Sequence, residues 1–133
     1  MQLAPYLAFN GNCEEALNFY KDCLGGTISE VHRFEGSPME QQLGPDFKNK
    51  IMHATFTFDG GTLMASDNPQ GAPAETNVTL SLGLDDAQRG AEIFNKLSAG
   101  GDVSLPFEKQ FWGATFGMFK DRYGIAWMVN CGG

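Results

Sequence analysis

A chain of 133 residues with 42% hydrophobic and 19% charged side chains carries enough apolar material to close one core without disulfides or metal. Its net charge of −7, with the nine Lys and Arg residues scattered, excludes a nucleic-acid partner, which needs a clustered basic surface to release counterions. No apolar run approaches the ~20 residues of a membrane span, and the chain opens without the basic and apolar regions of a secretory leader.

Residues 3–10, LAPYLAFN, are short and apolar and read as a strand. Asn12 is the predicted N-cap of a helix, with Glu14 and Glu15 in the first turn where the helix dipole favours carboxylates. Cys13, Ala16, Leu17, Tyr20 and Leu24 share one face of it, and Gly25-Gly26 closes it. Residues 27–35 are strand-like with weak alternation. Residues 36–50 hold two prolines and two glycines among polar residues, so an irregular, mobile excursion at the mouth of a binding site is expected there. Residues 51–59 and 62–66 form a hairpin, and residues 68–73, NPQGAP, are a connector.

The pattern then begins again. Residues 76–84 alternate, with Val78, Leu80, Leu82 and Leu84 on one face. Asp85 or Asp86 caps a second helix whose stripe is Ala87, Ala91, Phe94 and Leu97, and Gly100-Gly101 closes it. Residues 102–106 make a short strand, and residues 111–131 a closing hairpin around Asp121-Arg-Tyr-Gly124. Ala54-Thr55-Phe56 matches Ala114-Thr115-Phe116, and Gly60-Gly-Thr-Leu-Met64 matches Gly124-Ile-Ala-Trp-Met128, so the hairpin is used twice. Each half reads strand, helix, strand, strand, strand. The expected organisation is one α+β domain over residues 1–133, made of a module at 1–67, a connector at 68–75 and a module at 76–133.

Alternation divides each predicted sheet into two faces. Ala54, Phe56, Phe58, Val78, Leu80, Leu82 and Phe116 would pack on the helices. The opposite face would present His53, Thr55, Thr57, Met64, Ser66, Asn77, Thr79, Ser81, Thr115, Phe119, Met128 and Asn130, a polar but uncharged lining suited to a neutral or weakly polar small molecule. His53 is the one imidazole among these and the one candidate catalytic base; its structural alternative is a strand histidine bonded to a hydroxyl. Trp112, after Phe111, reads either as an aromatic wall for a flat ligand or as packing at a junction. Cys13, Cys23 and Cys131 are an odd number without metal spacing, which fits free thiols in a reducing cytoplasm. Cys13 lies where a helix dipole could activate a thiol, or it is a small buried hydrophobe.

The paired modules, Phe19-Tyr20 near the end of the first helix, the double glycines and the Asp121-x-x-Gly124 turn resemble the vicinal-oxygen-chelate superfamily of glyoxalase I, bleomycin-resistance proteins and extradiol dioxygenases. Residues 5–26, 64–69 (MASDNP) and 111–130 look like its PhnB-like branch, whose members often carry the label demethylubiquinone methyltransferase. The resemblance implies two tandem βαβββ modules forming a curved, cup-like mixed sheet with helices outside, a small-molecule ligand and a homodimer.

Metal-dependent members hold a divalent ion at four strand positions, which correspond here to Pro5, Met64, Thr79 and Met128. None suits a hard or borderline ion, so no metal and no cofactor is expected. The only histidines are His32 and His53, without HxH or ExxH spacing. The methyltransferase label also lacks support, because no glycine-rich loop follows a strand and opens a helix. The expected function is metal-free small-molecule binding by a cytoplasmic homodimer. The alternatives are an enzyme of the same fold, an isomerase or lyase using His53 or a metalloenzyme with other ligands, and a purely structural dimer.

Overall fold

The computed structural model of the protein describes residues 1–73 and 75–132; Ala74 of the connector and Gly133 at the end of the second module lie outside the described residues. The chain divides into two compact units, Met1–Glu75 and Thr76–Gly133.

The first unit contains β1 (Tyr6–Phe9), α1 (Cys13–Leu24), β2 (Thr27–Arg33), a short 3-10 turn at Pro45–Phe47, β3 (Ile51–Phe58) and β4 (Gly61–Asp67). The strands lie in the order β1-β4-β3-β2, with β1 parallel to β4 and the other pairs antiparallel. One sheet face is apolar because alternate residues leave it so: Leu7 and Phe9, Leu63 and Ala65, and Ala54 and Phe56 are buried. Against them α1 buries Cys13, Ala16, Leu17, Tyr20, Cys23 and Leu24, the helical stripe of the sequence with Cys23 added. The second unit repeats this with β5 (Leu80–Leu84), α2 (Ala87–Ser98), β6 (Asp102–Lys109), β7 (Thr115–Lys120) and β8 (Ala126–Cys131), ordered β5-β8-β7-β6. Its core joins Ile93, Phe94 and Leu97 of α2 to Phe119, Trp127, Val129 and Cys131. Two βαβββ modules with mixed four-stranded sheets are the α+β fold that the repeat implies.

The double glycines have a steric cause. A Cβ at Gly26 would press on the Thr57 carbonyl oxygen, and one at Gly101 on the Lys120 carbonyl oxygen. In each module the chain leaving the helix crosses so close to the next strand pair that only glycine fits.

Several local expectations need correction. Strand β5 begins at Leu80, leaving Val78 exposed ahead of it and not on the helix. Strand β6 runs through Pro106 to Lys109; it is an edge strand, and its register to β7 shifts between Leu105 and Glu108, which accommodates the missing N–H of the proline. The stripe of α2 is Gly90, Ile93, Phe94 and Leu97, with Gly90 facing the sheet where a Cβ would strike the Cys131 sulfur. Residues 36–50 fold back toward the beginning of α1. Arg33 donates to Glu14 and to the Asn49 carbonyl, Lys50 Nζ donates to the Gly11 carbonyl, and the Phe34 and Phe47 rings meet tilted at 5.1 Å.

Candidate functional site

In the first module, the sheet face opposite α1 carries a row of side chains set by strand register. Tyr6 lies beside Met64, Met64 beside Thr55 and Thr55 beside Ser29, so β1, β4, β3 and β2 each contribute one residue. His53 stands two residues from Thr55 on the same face, and Ser66 two residues from Met64.

The polar groups in this row touch one another. The Tyr6 hydroxyl lies 3.3 Å from His53 Nδ1, His53 Nε2 lies 3.4 Å from Thr55 Oγ1, and Thr55 Oγ1 donates to Glu30 Oε2 at 3.1 Å. The His32 and His53 rings are 6.4 Å apart. The lining is therefore not uncharged, as the alternation implied, because Glu30 brings a carboxylate to it.

How Glu30 gets there is a backbone matter. Ser29 pairs with Thr55, and strict alternation would turn the next side chain toward the helix. Instead the register slips between Ser29 and His32, and Glu30 adopts φ 53°, the one positive φ at a non-glycine among the described residues. This bulge returns the Glu30 side chain to the face of Thr55. Such left-handed backbone costs of order 1 kcal/mol and collects at functional positions. Weak alternation in residues 27–35 was the only sign of it in the sequence.

In the second module, Ser81 pairs with Met128, Met128 with Met118, and Asn130 with Phe116 on the face opposite α2. Thr79 precedes β5 and shares a hollow of about 240 Å³ with Ser104 and Met118. Phe119 does not belong to this face. It pairs with Trp127, is 2% exposed and meets Phe94 of α2 edge-on at 5.0 Å. The expectation for β7 was one residue out of phase, and a one-residue change of register inverts every side chain. Thr115, opposite Cys131, goes to the helix side with Phe119, and Phe116 comes to the open side, 6.0 Å from Trp112. Trp112 sits in the turn between β6 and β7, half exposed, with Phe111 against it.

The positions where metal-dependent relatives of this fold hold an ion do not fit one here. Register places Tyr6, in preference to Pro5, beside Met64, and Ser81, in preference to Thr79, beside Met128. Phenol, hydroxyl and two thioethers are poor ligands for a hard or borderline divalent ion. Among the described residues no three His, Cys, Asp or Glu side chains are grouped so as to hold a metal.

Cys13 offers no nucleophile either. Burial, then the charges of Asp67 and Glu14, push its thiol up to about 12, so it stays protonated at neutral pH. Cys131 is shifted the same way by burial and by Asp86 and Asp85. A larger hollow of about 750 Å³ opens at the start of α1, lined by Glu14, Arg33, Asn49 and Lys50 among others. Its two cations are engaged in fastening residues 33–50 to the helix, which makes it a structural seam.

Known proteins agree with this architecture. A family model described as 3-demethylubiquinone-9 3-methyltransferase matches residues 1–130. Protein YjdN of Escherichia coli K12 is 32% identical over 98% of this chain and 95% of its own length. The crystal structure of PA1353 from Pseudomonas aeruginosa is 45% identical, with TM-score 0.85 over 98% of this chain and 97% of that one. A PhnB protein from Bacillus cereus is 25% identical, with TM-score 0.83 over 99% and 100%. At 9% identity and TM-score 0.65, over 95% of each chain, a glyoxalase/bleomycin resistance protein/dioxygenase family enzyme from Burkholderia phytofirmans shares the fold alone. None of these likenesses assigns an activity. With its two βαβββ modules and a family match spanning nearly its full length, the chain belongs to the PhnB-like 3-demethylubiquinone-9 3-methyltransferase family.

Proposed function

We propose that this protein binds a small neutral or weakly polar molecule on the open faces of its two sheets, without a metal ion. The observation that carries the reading is the placement of Met64 and Met128 at matching positions of the repeat, each beside a hydroxyl-bearing residue of the neighbouring parallel strand. Thioethers and hydroxyls give soft apolar contact and hydrogen bonding while offering a divalent ion little. His53, Thr55, Ser66, Thr79, Ser81 and Asn130 supply the polar part of the lining, and Trp112 with Phe116 an aromatic border. We take the two units as modules of one domain that acts as a homodimer in the cytoplasm. The three buried free cysteines fit a reducing compartment, and no helix among the described residues is long and apolar enough to cross a membrane.

Methyl transfer has no support beyond the family's name. Neither module is a doubly wound parallel sheet with a glycine-rich loop for an adenosyl cofactor. A second reading, an isomerase or lyase working through His53, is favoured by one observation: the imidazole is held by Tyr6 on one side and Thr55 on the other, as a working base would be.

Native mass spectrometry of freshly purified protein, with elemental analysis, tests the proposal. A dimer that carries a small organic molecule and less than ~0.1 equivalent of metal is the expected result. Stoichiometric zinc, nickel, iron or manganese overturns it. Turnover abolished in His53→Ala at unchanged ligand affinity would favour the second reading.

A further inference from the structure

The hydrogen bonds on the first module's open face have a direction. The Glu30 carboxylate has no proton to give, so the Thr55 hydroxyl spends its hydrogen on Glu30 Oε2. Thr55 Oγ1 is then left to accept, and the group that reaches it is His53 Nε2, which must carry the ring proton. A neutral imidazole protonated at Nε2 has a bare Nδ1, and Nδ1 accepts from the Tyr6 hydroxyl. Every hydrogen along the chain points toward Glu30. At the far end the Tyr6 oxygen keeps only lone pairs, and Tyr6 is 53% exposed.

We infer that the Tyr6 oxygen is the acceptor end of a ligand site that selects small uncharged molecules presenting a hydroxyl hydrogen. The inference deepens the binding function proposed above and rests on it. Three features support the choice. A carboxylate at the opposite end polarises the chain and makes the Tyr6 oxygen a better acceptor. The same negative charge, in a chain of net charge −7, repels carboxylate and phosphate ligands. Met64, beside both Tyr6 and Thr55 in register, gives the carbon skeleton an apolar floor. The left-handed backbone at Glu30 gains a purpose on this reading, because it delivers the carboxylate on which the direction of the chain depends.

The test pairs benzyl alcohol with benzyl methyl ether, which differ in one hydroxyl hydrogen replaced by methyl. Binding is followed by NMR of the Met64 methyl group, and the ring nitrogens of His53 are read in a long-range 15N spectrum of the ligand-free protein. The expected outcome is an Nε2–H tautomer, tighter binding of the alcohol by about fivefold, the worth of one neutral hydrogen bond, and loss of that preference in Tyr6→Phe. Thr55→Val, which keeps the shape and cuts the link to Glu30, should weaken both the preference and the tautomer bias. An Nδ1–H or doubly protonated ring overturns the inference whatever binds. Equal binding of alcohol and ether, or a preference that survives Tyr6→Phe, overturns it while leaving the binding function standing. If neither compound moves the Met64 methyl, both readings fall.

Discussion

Asp67, the last residue of β4, accepts the backbone N–H of Cys13, the first residue of α1, at 2.9 Å. Its other oxygen accepts the backbone N–H of Ile51 at 2.9 Å, and the carboxylate is 2% exposed. A helix start, the beginning of β3 and the end of β4 are thus held by one buried side chain. The adjacent Asn12, a good N-cap by composition, makes no capping bond and accepts from Asn10 N instead.

Asp67→Asn would leave one acceptor oxygen and turn an amide N–H₂ toward a backbone donor. Hydrogen bonds to charged groups contribute ~1.5–3 kcal/mol each, so the variant should lose ~2–4 kcal/mol of unfolding free energy. Urea denaturation followed by circular dichroism measures this. A loss below ~0.5 kcal/mol would mean that the clamp is dispensable.

Cys13 gives an alkaline prediction. Its folded value of about 12 lies above the unfolded thiol's 9.0, so its stabilising contribution is complete below pH 9. Above that pH the unfolded chain releases a proton that the folded chain keeps, and stability falls by up to ~1.4 kcal/mol per pH unit until the folded thiol also ionises. Cys13→Ala should flatten the decline between pH 9 and about 11. At pH 8 a disulfide reagent such as DTNB should label the native protein only as fast as it opens.

On the acid side, the Arg33 hydrogen bond holds the Glu14 carboxyl below its usual range, across an ion pair of 2.8 Å. A lowered folded value means a contribution present above the unfolded value of ~4.3 and lost as pH falls through the folded one. Both side chains are well exposed, so the effect should not exceed ~1 kcal/mol. Glu14→Gln should reduce the acid-induced loss of melting temperature by a degree or two, and 0.5 M salt should mimic it; a large change would show that the pair does more than fasten a loop.

Gly26→Ala and Gly101→Ala should each cost about 1–3 kcal/mol, since the added methyl meets a strand carbonyl in a packed backbone crossing. Gly44→Ala, where a Cβ meets open space and no left-handed φ is required, is the control and should be close to neutral. Equal behaviour of the three variants in thermal melts would remove the steric reading of the double glycines.

The repeat of Ala54-Thr55-Phe56 in Ala114-Thr115-Phe116 made the doubled module legible, yet it also misled. In β3, Thr55 faces away from the helix, while Thr115 in β7 faces toward it. The matched tripeptides occupy opposite phases of their strands, so Phe119 and Phe116 exchanged places relative to expectation. Glu30 was out of reach for a related reason: its place on the open face comes from a bulge, and the weak alternation of TISEVHR does not say where one falls.

Apolar periodicity, turn glycines and the matched hairpins were enough to determine two βαβββ modules and the buried face of α1, because these depend on neighbours along the chain. The Asp67 clamp, the phase of β7 and the chain of contacts from Tyr6 to Glu30 were decided by the tertiary structure alone. They join residues on different strands through pairing register and one left-handed residue, and a shift of a single position, invisible in composition, moves a side chain to the other side of the sheet.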